Sequence, residues 1–126
     1  MRHVVIDMQA LFAAAVGNAL SRSDFGFDTV QSQSPKETLP LCLSLPADIL
    51  LMDVMSFAPR TLEERLSLRD TLKRANPHCK IVLMVDENGE KKVADRVRLA
   101  RKDGLIDGFL YNSTSGTYLA AVMDTL

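Results

Sequence analysis

The chain has 126 residues, enough for one domain with a single substantial core. It is 47% hydrophobic and 25% charged, an ordinary globular composition, and its net charge of −1 gives no bulk attraction to nucleic acid or membrane. No apolar stretch approaches the ~20 residues that span a bilayer, no signal-peptide pattern precedes the first strand, and Cys42 and Cys79 do not stand at a metal-ligand or redox spacing. The expectation is therefore a cytoplasmic protein with free thiols.

Taken in order, strands and helices alternate. A first strand over residues 3–7 is followed by Gln9–Arg22, where Phe12, Val16, Ala19 and Leu20 recur at helical spacing. Residues 26–30 read as a short second strand. Ser34-Pro35-Lys36-Glu37 reads as a helix start, with Ser34 as cap, Pro35 at the first helical position and Glu37 closing a capping box. An apolar run over residues 47–53 predicts a central strand buried on both faces. Thr61-Leu62-Glu63-Glu64 is a second capping box, opening a helix to Ala75 with Leu62, Leu66 and Leu72 inward; Asn76-Pro77 stops it. A fourth strand spans residues 79–85. Glu90–Lys102 is a helix with Val93, Val97 and Ala100 buried, ended by Gly104. Ile106–Tyr111 and Ser115–Leu126 are the last strand and helix. Five strand–helix units with short loops predict a parallel sheet covered on both sides, in one domain spanning residues 1–126.

Three of these strands end in an acid. His3-Val4-Val5-Ile6 runs into Asp7, Asp48-Ile49-Leu50-Leu51-Met52 into Asp53, and Ile81-Val82-Leu83-Met84-Val85 into Asp86. Functional groups in open parallel sheets collect beyond the carboxyl ends of the strands, so the three carboxylates predict an acidic pocket at that edge. Two plainer roles remain open: Asp7 and Asp53 as caps of the helices that follow, and Asp86 as a solvated turn residue in Asp86-Glu87-Asn88-Gly89.

Over nearly its whole length the chain resembles the receiver domains of two-component response regulators. The segments that carry the resemblance are Leu50-Leu51-Met52-Asp53-Val54, Ile81 to Val85, and Asp107-Gly108-Phe109-Leu110-Tyr111; the stretch from Val5 to Phe12 resembles receivers joined to helix-turn-helix domains. The resemblance implies a flavodoxin-like doubly wound fold, five parallel strands in order 2-1-3-4-5. It places Asp53 at the phosphoacceptor position. It implies a magnesium site at Asp7, Asp53 and the backbone carbonyl of Met55, with Phe109 at the aromatic switch position. A sensor histidine kinase or other signalling protein is the implied partner. The fourth helix, fifth strand and fifth helix are the implied face for dimers or effectors, and no nucleic acid or membrane contact is expected of this domain.

The chain departs from that pattern at four points. Met8 replaces the second metal-binding acid, Asp86 replaces the hydroxyl residue after the fourth strand, Asn112 replaces the lysine after the fifth, and Ser113 the proline that follows. Losing a cation and gaining an anion is costly, since like charges at about 4 Å repel by roughly 4 kcal/mol at an effective dielectric near 20. The favoured expectation is a degenerate receiver, used for interaction or dimerisation, with weak magnesium affinity in which Asp86 stands in for the missing acid. The alternative is a working phosphoacceptor with an unusual pocket. A more distant one is an isochorismatase-like cysteine hydrolase, which Val4 to Gln9 also resembles, but Cys42 lies in a helix pattern and Cys79 at the wrong end of a strand. A haloacid-dehalogenase phosphatase would want a second acid two residues after the nucleophile, where Gln9 or Met55 stands.

Overall fold

The computed structural model describes all 126 residues. The elements are β1 (Arg2–Asp7), α1 (Ala10–Ser21), β2 (Phe27–Gln31), α2 (Pro35–Ser44), β3 (Ile49–Val54), α3 (Leu62–Ala75), β4 (Lys80–Val85), α4 (Lys91–Lys102), β5 (Gly108–Tyr111) and α5 (Gly116–Asp124). The five strands form one parallel sheet in the order β2-β1-β3-β4-β5. This is the flavodoxin-like architecture predicted from the strand–helix alternation and the resemblance.

The sheet separates two apolar layers, as the two-residue period of its strands requires. Val5, Leu50, Met52, Val54, Ile81, Leu83 and Val85 face one side, with Leu62 and Leu72 of α3 and Val93, Val97 and Ala100 of α4. Val4, Ile6, Ile49, Leu51, Val82 and Met84 face the other, with Val16 and Leu20 of α1 and Leu119 and Met123 of α5. All six residues of β3 are buried, because a strand at the centre of a doubly covered sheet has no wet face.

The α2 start and the β5 start differ from expectation in their local bonding. The α2 start has Ser34 at the cap position, but its hydroxyl makes no cap bond. The Ser34 carbonyl does the local work, accepting from the Ser32 hydroxyl at 2.7 Å and from the Glu37 amide at 3.0 Å, and Pro35 has no amide to satisfy. β5 begins at Gly108 rather than Ile106, because Asp107 turns its carboxylate onto the Ile81 amide at 2.8 Å and the Lys73 ammonium at 3.1 Å. The α3 capping box forms as expected: Thr61 Oγ1 accepts from the Glu64 amide, and the Glu64 carboxylate accepts from the Thr61 amide.

Candidate functional site

Parallel pairing of β1 with β3 sets Asp7 beside Met52, so Asp53 lies one residue further along the neighbouring strand, at the same carboxyl edge. Both carboxylates are only 1% exposed. Ionised acids at that depth need partners, and the chain supplies two arginines.

Arg65 projects from the first turns of α3 and is itself 1% exposed. Its Nη1 donates to Asp7 Oδ2 at 2.8 Å and its Nη2 to Asp53 Oδ1 at 2.8 Å. Longer Nη2 contacts reach Asp7 Oδ1 at 3.3 Å and the Asp7 carbonyl at 3.2 Å, and Nε donates to the Asp53 carbonyl at 2.8 Å. Arg60 closes the cluster from above. Its Nη1 donates to Asp53 Oδ1 at 2.9 Å and to Asp7 Oδ1 at 3.3 Å. The β3–α3 loop aims it there, with the Met55 amide donating to the Arg60 carbonyl at 2.8 Å and the Arg60 amide to the Phe57 carbonyl at 3.1 Å.

The other carboxylate oxygens have partners too. Thr38 of α2 donates its hydroxyl to Asp7 Oδ2 at 2.7 Å and is in turn bonded to Ser32 at 2.8 Å. The Gln9 amide, just before α1, donates to Asp53 Oδ2 at 3.2 Å. Neither acid caps the helix that follows it, contrary to the capping alternative: α1 has no side-chain cap and α3 is capped by Thr61, while Asp53 takes one amide from the residue before α1 and otherwise cationic donors. Two carboxylates face two guanidiniums, so the expectation of a pocket with surplus negative charge is corrected: α3 and the loop before it deliver the cations that the fifth strand lacks.

Of the expected metal donors, Asp7 and Asp53 come together, but Arg60 and Arg65 are bonded between them and Asp86 does not join. No group of three or more acidic, histidine or cysteine side chains is placed to hold an ion. Met8 is buried in the apolar layer under α1 and α5. Asp86 follows β4 at the same sheet edge, yet its Oδ1 accepts from the amides of its own turn, Asn88 at 3.0 Å and Gly89 at 2.9 Å. A Cβ on Gly89 would meet Asp86 Oδ2 at 2.5 Å, so a larger residue there would have to displace the Asp86 carboxylate. The solvated-turn role accounts for Asp86. Met55 contributes its amide to the loop that carries Arg60. The donor set thus does not fit a magnesium ion, whose near-octahedral oxygen shell would have to occupy space filled by guanidinium nitrogens.

Asn112 continues the β4–β5 pairing through its amide, 2.9 Å from the Val85 carbonyl, and its buried Oδ1 has no partner. Ser113 bonds the Glu87 carboxylate at 3.0 Å. Phe109 is half-buried beside α4, edge-on to Tyr111 with ring centroids 5.7 Å apart. Tyr111 takes a hydrogen bond from Arg98 of α4 at 2.9 Å. Both thiols are buried: desolvation pushes Cys42 up to about 12, with Cys79 and Asp7 adding to it, and desolvation pushes Cys79 up to about 11. Neither is a ready nucleophile.

Sequence reasoning missed Arg60 and Arg65. For Arg65 a signal existed, since it lies three residues after Leu62 and seven before Leu72, on the buried stripe of α3. A cation on that stripe, in the helix following a strand-end acid, points at the acid. For Arg60, in a loop without periodicity, there was none.

No family model matches this sequence, and no curated protein matches it. Solved structures do match it in fold. The REC domain of AraT, a response regulator from Geobacillus stearothermophilus, superposes with a TM-score of 0.76 at 19% identity over 98% of this chain and 91% of that one. A response regulator receiver domain from Clostridium thermocellum gives 0.77 at 14% identity, over 99% and 93%. The signal receiver domain of the response regulator NarL from Mycobacterium tuberculosis gives 0.72 at 22% identity, over 98% and 94%. The chain has the fold of these receiver domains.

Proposed function

We propose that this chain is a receiver-type signalling domain whose phosphoacceptor position has become a structural ion-pair cluster, so that it works as a non-enzymatic interaction module. One observation carries the reading. Asp53 is 1% exposed and both its carboxylate oxygens are engaged, Oδ1 by Arg60 and Arg65 and Oδ2 by the Gln9 amide. Phosphoryl transfer would require one of those oxygens to form a bond to phosphorus while the bond to the leaving group breaks, with a cation screening the phosphoryl oxygens. Here the cations are spent on the carboxylate itself, and no lone pair faces solvent.

The coupling residues support the same reading. Asp86 is occupied by its own turn and Asn112 carries no charge, so neither would follow a phosphoryl group toward Phe109. What such a domain offers a partner is its surface. Leu99 of α4, on a helix rich in basic residues, is 55% exposed, and Tyr118 of α5 is 61% exposed. The α4–β5–α5 face suits a second copy or another signalling protein. No helix is long and apolar enough to cross a membrane.

The test is incubation with a small phosphodonor and magnesium, followed by intact mass measurement. No phosphoryl adduct is expected. Rapid, stoichiometric labelling lost in Asp53→Asn would establish a working phosphoacceptor instead.

A further inference from the structure

We infer that Arg65 is the built-in cation of this site: its guanidinium stands where a divalent ion would bridge Asp7 and Asp53, and its charge is what keeps such an ion out. The inference concerns cation exchange, not phosphorylation. It would survive the discovery of slow, metal-free labelling of Asp53.

The geometry points to substitution and not to mere proximity. A bridging ion must take one oxygen from each carboxylate and complete its shell from backbone carbonyls and water. Arg65 reaches one oxygen of each carboxylate at 2.8 Å and the Asp53 carbonyl at 2.8 Å. Those are oxygens of the kind a cation would need, collected by one planar, permanently charged group. The guanidinium is anchored to backbone as well as side chains, through the carbonyls of both Asp7 and Asp53. It is buried to 1% exposure and held on the apolar stripe of α3, so it has no solvated position to retreat to without moving the helix. Arg60 differs. Its side chain is 15% exposed and it arrives on a loop, so it can swing outward and readmit water. Arg65 is thus the group that excludes a metal, and Arg60 is its lid.

It follows that the charge, once removed, should be replaceable from solution. Arg65→Gln keeps much of the side-chain volume but leaves Asp7 and Asp53 with only Arg60. A small divalent ion then neutralises what the guanidinium did, and Arg60 moves toward solvent.

The experiment uses manganese as a paramagnetic probe, with amide spectra of the full chain, alongside thermal unfolding in magnesium chloride against potassium chloride at matched ionic strength. For the wild-type chain, amides around residues 7–9 and 53–55 should keep their intensities and the unfolding temperature should not respond to magnesium. Selective broadening there in the wild type would overturn the inference. For Arg65→Gln the same amides should broaden, and magnesium should raise the unfolding temperature by several degrees over the potassium control. If that variant is unfolded in potassium chloride, magnesium should restore its fold. An Arg65→Gln chain insensitive to both ions, folded or not, would overturn the exchange. Arg60→Gln retains Arg65 and should behave as wild type; metal binding by it would shift the role to Arg60 and overturn the assignment.

Discussion

Arg65 sits between Asp7 and Asp53 and donates a separate guanidinium nitrogen to each, both at 2.8 Å, with all three side chains about 1% exposed. Three elements are tied through it, since Asp7 closes β1, Asp53 lies in β3 and Arg65 belongs to α3. Through Thr38, which donates to Asp7, the network also reaches α2. Buried ion pairs add little net stability against an apolar core of similar volume, but breaking one leaves an uncompensated charge. Arg65→Met should therefore cost about 3–5 kcal/mol of unfolding free energy. Adding Asp7→Asn and Asp53→Asn to Arg65→Met should recover part of that loss, because the stranded charges go with the carboxylates. Urea unfolding of the single and triple variants checks both statements. A single variant within 1 kcal/mol of wild type would show that Arg65 is not integral to the cluster.

A second ion pair, at the opposite edge of the sheet, predicts the acid limb of stability. Burial alone would raise the Asp107 carboxyl, but the Ile81 amide and the Lys73 ammonium outweigh it and hold the group below the usual aspartate range. A carboxyl whose folded value is depressed stabilises the fold fully above its unfolded value, near 3.9, and that contribution is lost as pH falls through the folded value. In Asp107→Asn the contribution is absent at every pH. The wild-type and variant stability curves should thus lie apart above pH 5 and converge below about pH 4. Curves that remain parallel down to the acid end would remove Asp107 from the account.

The cysteines make a chemical prediction. With thiols pushed up to about 12 at Cys42 and about 11 at Cys79, both by burial first, almost no thiolate is present at neutral pH. Both residues are also closed to solvent. Ellman's reagent should label neither thiol of the native chain on the timescale on which it labels both in guanidinium chloride. Fast native labelling of one thiol would reopen a nucleophilic role for that cysteine.

Much of this architecture was legible because it rests on periodicity and end signals. The continuous apolar run into Asp53, the Thr61–Glu64 capping box and the Asn76-Pro77 stop each correspond to a boundary of the fold. The strand-end positions of Asp7, Asp53 and Asp86 were equally readable, because β-strand register and a common chain direction bring their ends together. What the acids bond to was not readable in the same way. Partner choice depends on where a helix phase and a loop turn place two guanidiniums, and Arg60 reaches Asp53 only because the four residues between Met55 and Arg60 fold back. Asp86 misled for the same reason. An Asp-x-x-Gly turn can engage one carboxylate oxygen with two of its own amides, so a third strand-end acid need not join the other two.

The last prediction concerns the packing of α1 on α5. Gly116, the first residue of α5, approaches α1 so closely that a Cβ built on it would lie 2.9 Å from the Cβ of Ala19. That is well inside van der Waals contact, and the obstructing atom is a Cβ, which has no rotamer to relieve the clash. Gly116→Ala should push the two helices apart and loosen Leu119 and Met123 from the layer they share with Val16 and Leu20. Overpacking of this kind costs about 1–3 kcal/mol. Ala19→Gly in the same chain vacates the contested space, at the expense of a glycine inside α1, worth about 1 kcal/mol. The double variant should therefore be more stable than Gly116→Ala alone whenever the clash exceeds that helix penalty. Denaturant midpoints of the two singles and the double give the coupling directly. A Gly116→Ala chain as stable as wild type, with strictly additive double-variant energies, would show that α1 and α5 are not in the close contact described.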